Sequence, residues 1–112
     1  CNRWILKYIF PGGYIPSIRE LIWLLPENDF HLLDVESLRL HYARTLQHWA
    51  NNYEKNLDYV RKKYDERFIK MWRLYLNACA TSFRVSGLNI HQIVFSKGIN
   101  NELPMTRHYL YQ

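Results

Sequence analysis

The stretch LRLHYARTLQHWANNYEKNLDYVRKKY, residues 38–64, decides the fold. Its apolar side chains Leu38, Tyr42, Leu46, Trp49, Tyr53, Leu57, Val60 and Tyr64 recur every three or four residues. That spacing gathers them on one face of an α-helix. Ser37 stands just ahead as the expected N-cap. A second helical register follows Asp65, itself a candidate cap, through Phe68, Trp72, Tyr75, Leu76, Cys79 and Phe83. Its opposite face carries Glu66, Lys70, Arg73, Asn77, Thr81 and Arg84, with Glu66 and Lys70 at the supportive four-residue spacing. Gly87 is the natural stop.

Strand patterns flank this pair of helices. Residues 88–97 (LNIHQIVFSK) form the strongest, β-rich and mixed in pattern, as expected when both faces are partly covered. Residues 30–36 form a weaker one. Further out, the apolar run from Trp4 to Phe10 stops at Pro11-Gly12-Gly13, where proline and glycine permit a sharp change of direction. Ser17-Ile18-Arg19-Glu20 reads as a capping box opening a short helix over about 18–25. That helix is apolar nearly all round, which predicts deep packing. The polar tail 98–112, broken by Pro104, is expected to be loosely held.

A chain of 112 residues is one compact domain or a piece of a larger one, and a two-domain enzyme is excluded on size. With 48% hydrophobic and 22% charged residues it suits a globular protein rather than a disordered tail. The longest dense apolar run, residues 21–25, is far short of a membrane span. No signal-peptide layout is present, and without a start Met the chain reads as a segment excised from a longer polypeptide. Cys1 and Cys79 form no disulfide framework and no zinc spacing, which favours a reducing compartment.

Only four glycines occur, at 12, 13, 87 and 98, so neither a GxGxxG nor a Walker loop can be built. His41 and His48 lie two helical turns apart, too far for one metal, and no metal site is expected. Arg61, Lys62, Lys63, Arg67, Lys70 and Arg73 make the central helices locally positive. A solvated helix face is the commonest meaning of such a run, and attraction to an anionic bilayer surface is the functional one. A nucleic-acid reader is disfavoured because Trp72, Tyr75 and Phe83 take the core positions of the candidate helix. Taken singly, Tyr42 and Phe10 read as packing residues and Cys79 as a small buried hydrophobe.

Read together, several words resemble the cyclopropane-fatty-acyl-phospholipid synthase family, with which the mycolic acid cyclopropane synthases share them. The words are KYIFPGGYIPS at 7–17, LRLHYARTL at 38–46 with Trp49, and Glu66-Arg67-Phe68 followed by Met71-Trp72 and Tyr75-Leu76. Cys79, Phe83-Arg84 and Gln92 with Val94-Phe95 continue the likeness, which covers the chain from about Trp4 to Gly98.

The resemblance implies an α/β fold: the C-terminal part of a Rossmann-like S-adenosylmethionine-dependent methyltransferase, here mostly helical with a two-stranded antiparallel β pair. Residues 1–29 would belong to a helical lid insertion, 30–98 to the last two strands and the long helices between them, and 99–112 to a loose tail. The implied reaction transfers a methylene from S-adenosylmethionine to a cis double bond of an unsaturated phospholipid acyl chain, through a carbocation. Tyr42 resembles the tyrosine that binds a catalytic bicarbonate. Phe10 resembles an aromatic of the substrate site, and Tyr14 would line the acyl channel.

By the same resemblance, the adenosyl loop and the other anion ligands (a cysteine, a glutamate and a histidine) lie upstream of Cys1. No cofactor-binding residue is therefore assigned here, and Cys79 is not matched to the catalytic cysteine. The 112 residues alone are expected to be inactive and not to bind the cofactor. The implied setting is cytoplasmic, peripheral at the inner membrane face, with room for a homodimer. A sister lipid methyltransferase of mycolic or branch-forming type, and a non-catalytic helical interaction domain, are the competing readings.

Overall fold

A computed structural model describes residues 2–111. The elements run α1 (Arg3–Tyr8), α2 (Ile18–Glu27), β1 (Phe30–Ser37), α3 (Arg39–Lys55), α4 (Leu57–Arg61), α5 (Glu66–Val85) and β2 (His91–Lys97), and end in a 3₁₀ turn, Arg107–Tyr111. The chain divides into two compact units. One holds the residues up to Ile15 with Glu36–Gln92, and the other Pro16–Val35 with the residues from Ile93 onward.

The first unit is built on α3 and α5. Ala43, Leu46 and Ala50 of α3 and Ile69, Leu76, Ala80 and Phe83 of α5 are buried, which places the core along the seam between the two stripes. Polar links run alongside it. Arg73 grips the Glu54 carboxylate at 2.6 and 2.9 Å, and the Tyr53 hydroxyl donates to the Ile69 carbonyl at 3.3 Å. Arg39 donates to the carbonyls of Phe83 (2.8 Å) and Arg84 (3.0 Å) at the end of α5. Asp65 caps α5 as expected, its carboxylate accepting from the Phe68 N–H at 2.9 Å.

The long apolar period is interrupted once. Asn56 ends α3, its side-chain amide donating to the Asn52 carbonyl at 2.8 Å, and the chain restarts as α4. An asparagine satisfies the backbone locally in this way, and a break of this kind leaves the apolar spacing intact. The Ser37 cap is not formed. Ser37 is the last residue of β1, its hydroxyl donates to Asn89 at 3.0 Å, and Leu38 occupies the cap position without a side-chain bond. Glu66 pairs with Arg61 at 3.0 Å instead of with Lys70, because Arg61 on α4 reaches back to the start of α5.

β1 and β2 form a two-stranded sheet. Its ends show the antiparallel register: the Leu38 N–H meets the Ile90 carbonyl at 2.9 Å, and the Gly98 N–H meets the Asp29 carbonyl at 2.8 Å. β2 starts at His91, three residues after the expected start of the strand at 88.

In the second unit the capping box of α2 is complete. The Glu20 N–H donates to the Ser17 hydroxyl at 3.3 Å, and the Ser17 N–H donates to the Glu20 carboxylate at 2.6 Å. The expected deep packing of α2 is not observed: no residue of it is buried, and Trp23 is 72% exposed. A helix that is apolar on every side can turn only one side to a neighbour. Here Leu21, Leu24 and Leu25 face Phe30, Ile93 and Phe95 across an open cavity of about 240 Å³. The tail is also less loose than expected, since its 3₁₀ turn carries an Arg107–Asp34 ion pair.

Candidate functional site

Tyr42 projects from the first turns of α3 and is half-buried. Its ring meets Phe83 of α5 edge-on at 4.8 Å and Trp49, two turns along α3, at 6.0 Å. With Cys79 it packs against the buried group Ala43, Leu46, Ala80 and Phe83. Helical spacing explains the convergence. Positions 42, 46 and 49 share one face of α3, and 76, 79, 80 and 83 share one side of α5. The Tyr42 hydroxyl makes no hydrogen bond to a described residue.

Phe10 reaches the same cluster from the turn after α1. The Gly13 N–H donates to the Phe10 carbonyl at 2.9 Å, and Gly12 between them has φ +72°. Proline at the second position and a left-handed glycine at the third are the signature of a type II turn. A Cβ on Gly13 would stand 3.0 Å from the Phe10 oxygen and 3.1 Å from its Cβ, so the second glycine admits the close approach. The turn holds the Phe10 ring edge-on to Tyr75 at 6.1 Å. Tyr14, beyond the turn, is 73% exposed at the surface.

Tyr75 joins the two halves of the site. Burial pushes its hydroxyl up to about 12, with the Cys79 thiol next in effect and Tyr42 contributing. Burial likewise pushes the Cys79 thiol up, and a hydrogen bond from Tyr75 partly offsets the rise. The site is therefore an aromatic cluster whose polar groups are two phenols and a thiol. Sequence reasoning had placed Tyr75 and Cys79 in the apolar register of α5 without connecting them to Tyr42. Their four-residue spacing, continued to Phe83, was the available signal. Cys79, expected as a small buried hydrophobe, packs on the buried group but is only half-buried.

No three His, Cys, Asp or Glu among the described residues gather as metal ligands. Along α4 and α5, Arg61 is engaged by Asp58 and Glu66, and Arg73 by Glu54. Lys62, Arg67 and Lys70 are exposed and form no ion pair among the described residues.

Comparison with known proteins gives this arrangement a context. In structure the chain is similar to mycolic acid cyclopropane synthase CmaA1, solved with SAH and CTAB. The TM-score is 0.79 and the identity 31%, over 83% of this chain and 33% of that one. The cyclopropane synthase MmaA2 from Mycobacterium tuberculosis matches equally well. The fold is thus that of part of the cyclopropane synthase class of S-adenosylmethionine methyltransferase folds. The family description "Mycolic acid cyclopropane synthetase" matches residues 1–93, and the chain belongs to that family.

Among curated relatives, a probable fatty acid methyltransferase of Pseudomonas putida is 38% identical over 99% of this chain and 29% of its own length. The cyclopropane-fatty-acyl-phospholipid synthase of Escherichia coli K12 is 38% identical over 95% of this chain and 28% of its own. The chain therefore spans under a third of the length of these relatives.

Proposed function

We propose that this chain is the C-terminal part of a cyclopropane-fatty-acyl-phospholipid synthase, which transfers a methylene from S-adenosylmethionine to the cis double bond of unsaturated acyl chains in membrane phospholipids. The observation that carries this reading is the packing of Tyr42 on Phe83 beside Cys79, with Phe10 meeting Tyr75 next to them, in a chain of this family. A cationic intermediate in a dry pocket is best stabilised by π-faces and fixed dipoles, and these side chains supply both. Phe10 borders the reacting carbons, and Tyr14 lies further along the acyl path.

The described residues do not fit S-adenosylmethionine. No glycine-rich turn opens a helix, and Asn2, Ser17 and Asp65 each already accept from one first-turn amide of α1, α2 and α5. The cofactor's contacts belong to residues outside this chain. A bicarbonate suits the donor set better: Tyr42 would hold it, with Tyr75 and Cys79 nearby, and bound there it would supply the base for the proton lost on ring closure. Phenols beside such an anion leave it more basic than an ammonium would.

The enzyme would work in the cytoplasm at the inner membrane face, where the exposed lysines and Arg67 meet anionic lipid. Its homodimerisation is part of the same proposal. A branch-forming sister activity is the second reading, favoured by the relative named as a fatty acid methyltransferase, which matches 99% of the chain.

The test is the product made by the full-length protein from unsaturated phospholipid vesicles. Cyclopropane acyl chains support the first reading, and methyl-branched chains the second. The 112 residues alone are expected to give no heat on titration with S-adenosylmethionine, and micromolar binding would overturn that assignment.

A further inference from the structure

The helix that carries Tyr42 has no cap of its own. Leu38 stands at the N-cap of α3 without a side-chain bond, and the entry of the helix is held from outside instead. In the turn between α5 and β2, the Asn89 side-chain oxygen accepts from the Ser37 hydroxyl at 3.0 Å and from the Ile90 N–H at 2.8 Å. Two donors on one carboxamide oxygen use both its lone pairs and fix which way the amide faces. The Ile90 carbonyl accepts from the Leu38 N–H at 2.9 Å, and the Leu38 carbonyl accepts from the Tyr42 N–H at 2.9 Å.

These bonds close a circuit. Phe83 lies six residues before Asn89, near the end of α5, and the Tyr42 ring rests on it at 4.8 Å. From Asn89 the path crosses to Ser37, runs through Leu38 to Tyr42 and returns through the ring contact. A shift of the helix entry carries the phenol with it, because the Tyr42 N–H is bonded straight back to Leu38. Every link except the turn's own backbone joins α3 to the segment that follows α5, and all of it lies in the first unit. Ser86, in the same turn, bonds locally: its hydroxyl donates to the Ser82 carbonyl at 2.6 Å and accepts from the Leu88 N–H at 3.4 Å.

We propose that Asn89 is a positioning residue for Tyr42: its side-chain oxygen locks the entry of α3 to the turn after α5 and so sets the phenol for the anion it would hold. The inference rests on the bicarbonate role proposed above for Tyr42 and adds the residue that fixes the geometry of that role. Asn89 acts through the helix entry, not by contact with the anion.

The experiment uses the full-length protein with unsaturated phospholipid vesicles, S-adenosylmethionine and bicarbonate. Asn89→Ala removes the acceptor from both donors. It should lower kcat and raise the bicarbonate concentration for half-maximal rate, each roughly tenfold, with KM for lipid unchanged, since misplacing a positioned group by about 1 Å costs up to about a hundredfold. Ser37→Ala removes one donor, and the double variant should do no worse than Asn89→Ala alone, because the two share one bond network. Asn89→Asp and Ser37→Thr keep the acceptor and the donor and should retain the unaltered values. Ser86→Ala should retain them too. A loss in N89A that N89D does not restore, or an equal loss in S86A, would overturn the positioning role.

A second measurement does not depend on turnover. With a fluorotyrosine in place of Tyr42, the fluorine NMR signal should shift as bicarbonate is titrated into the full-length protein. N89A should weaken that binding roughly tenfold, and N89D should keep it. Binding unchanged by N89A would overturn the role of Asn89. If the unaltered protein makes no cyclopropane yet binds bicarbonate in a way that depends on Asn89, the synthase reading fails while the positioning stands. Active enzyme whose rate and bicarbonate dependence ignore N89A gives the reverse.

Discussion

The two units treat their apolar residues differently. In the unit built on α3 and α5, seven side chains are buried along a seam of matched stripes. In the unit holding α2, no described residue is buried, and Leu21, Leu24, Leu25, Phe30, Ile93 and Phe95 border an open cavity. Apolar content alone therefore does not make a core. A complementary surface at the right spacing does, and the first unit carries both halves of its own. The candidate site stands on that packed frame, which holds side chains more firmly than a loop would.

The sharpest way to break this comparison is paired truncation in the intact protein. Leu46→Ala, inside the seam, should cost about 2–5 kcal/mol in urea denaturation. Leu24→Ala, at the open cavity, should cost under about 1 kcal/mol. Equal losses would mean that α2 is as well packed as α3. Next in size is Tyr42→Phe: under the proposed bicarbonate role it removes a hydrogen bond to a charged group worth about 1.5–3 kcal/mol, so turnover should fall roughly ten- to hundredfold. Tyr14→Phe, at the surface, should change turnover far less.

Caps sharpen the comparison from the other side, because they act within one helical turn whatever the unit. Asp65→Ala and Ser17→Ala should each cost about 1 kcal/mol by thermal denaturation. The smallest effects are in titration. The Tyr75 hydroxyl keeps its proton to about pH 12, against 10.0 for the ordinary group. The folded state thus holds more protons in that window, and stability should fall as pH rises from 10 to about 12. Tyr75→Phe should flatten that fall. It should also move the midpoint of Cys79 alkylation to higher pH, because the bond that lowers the thiol is lost.

What could be read from the sequence was what the chain settles locally. The Ser17–Glu20 box, the Asp65 cap and the Pro-Gly-Gly turn depend on residues a few positions apart, and all of them formed. Other features depend on distant partners. Ser37 was drawn from its expected cap by Asn89, 52 residues away. The exposure of α2 could not follow from its own apolar content, and the tail was tied by Asp34 on a strand far upstream. In the site, periodicity placed Tyr42 and Tyr75 on their separate stripes. Only the pairing of α3 with α5, and the turn that brings in Phe10, put them in one place.

Arg39 gives that pairing a further property. Its guanidinium spans the carbonyls of Phe83 and Arg84, one helical turn before Tyr42, whose ring rests on Phe83. One nitrogen, Nη1, donating to two adjacent acceptors resists sliding of one rod along the other. The alignment of the phenol with its aromatic neighbour is thus pinned from the backbone. Alanine at position 39 would remove both bonds and let the two cylinders slip out of step.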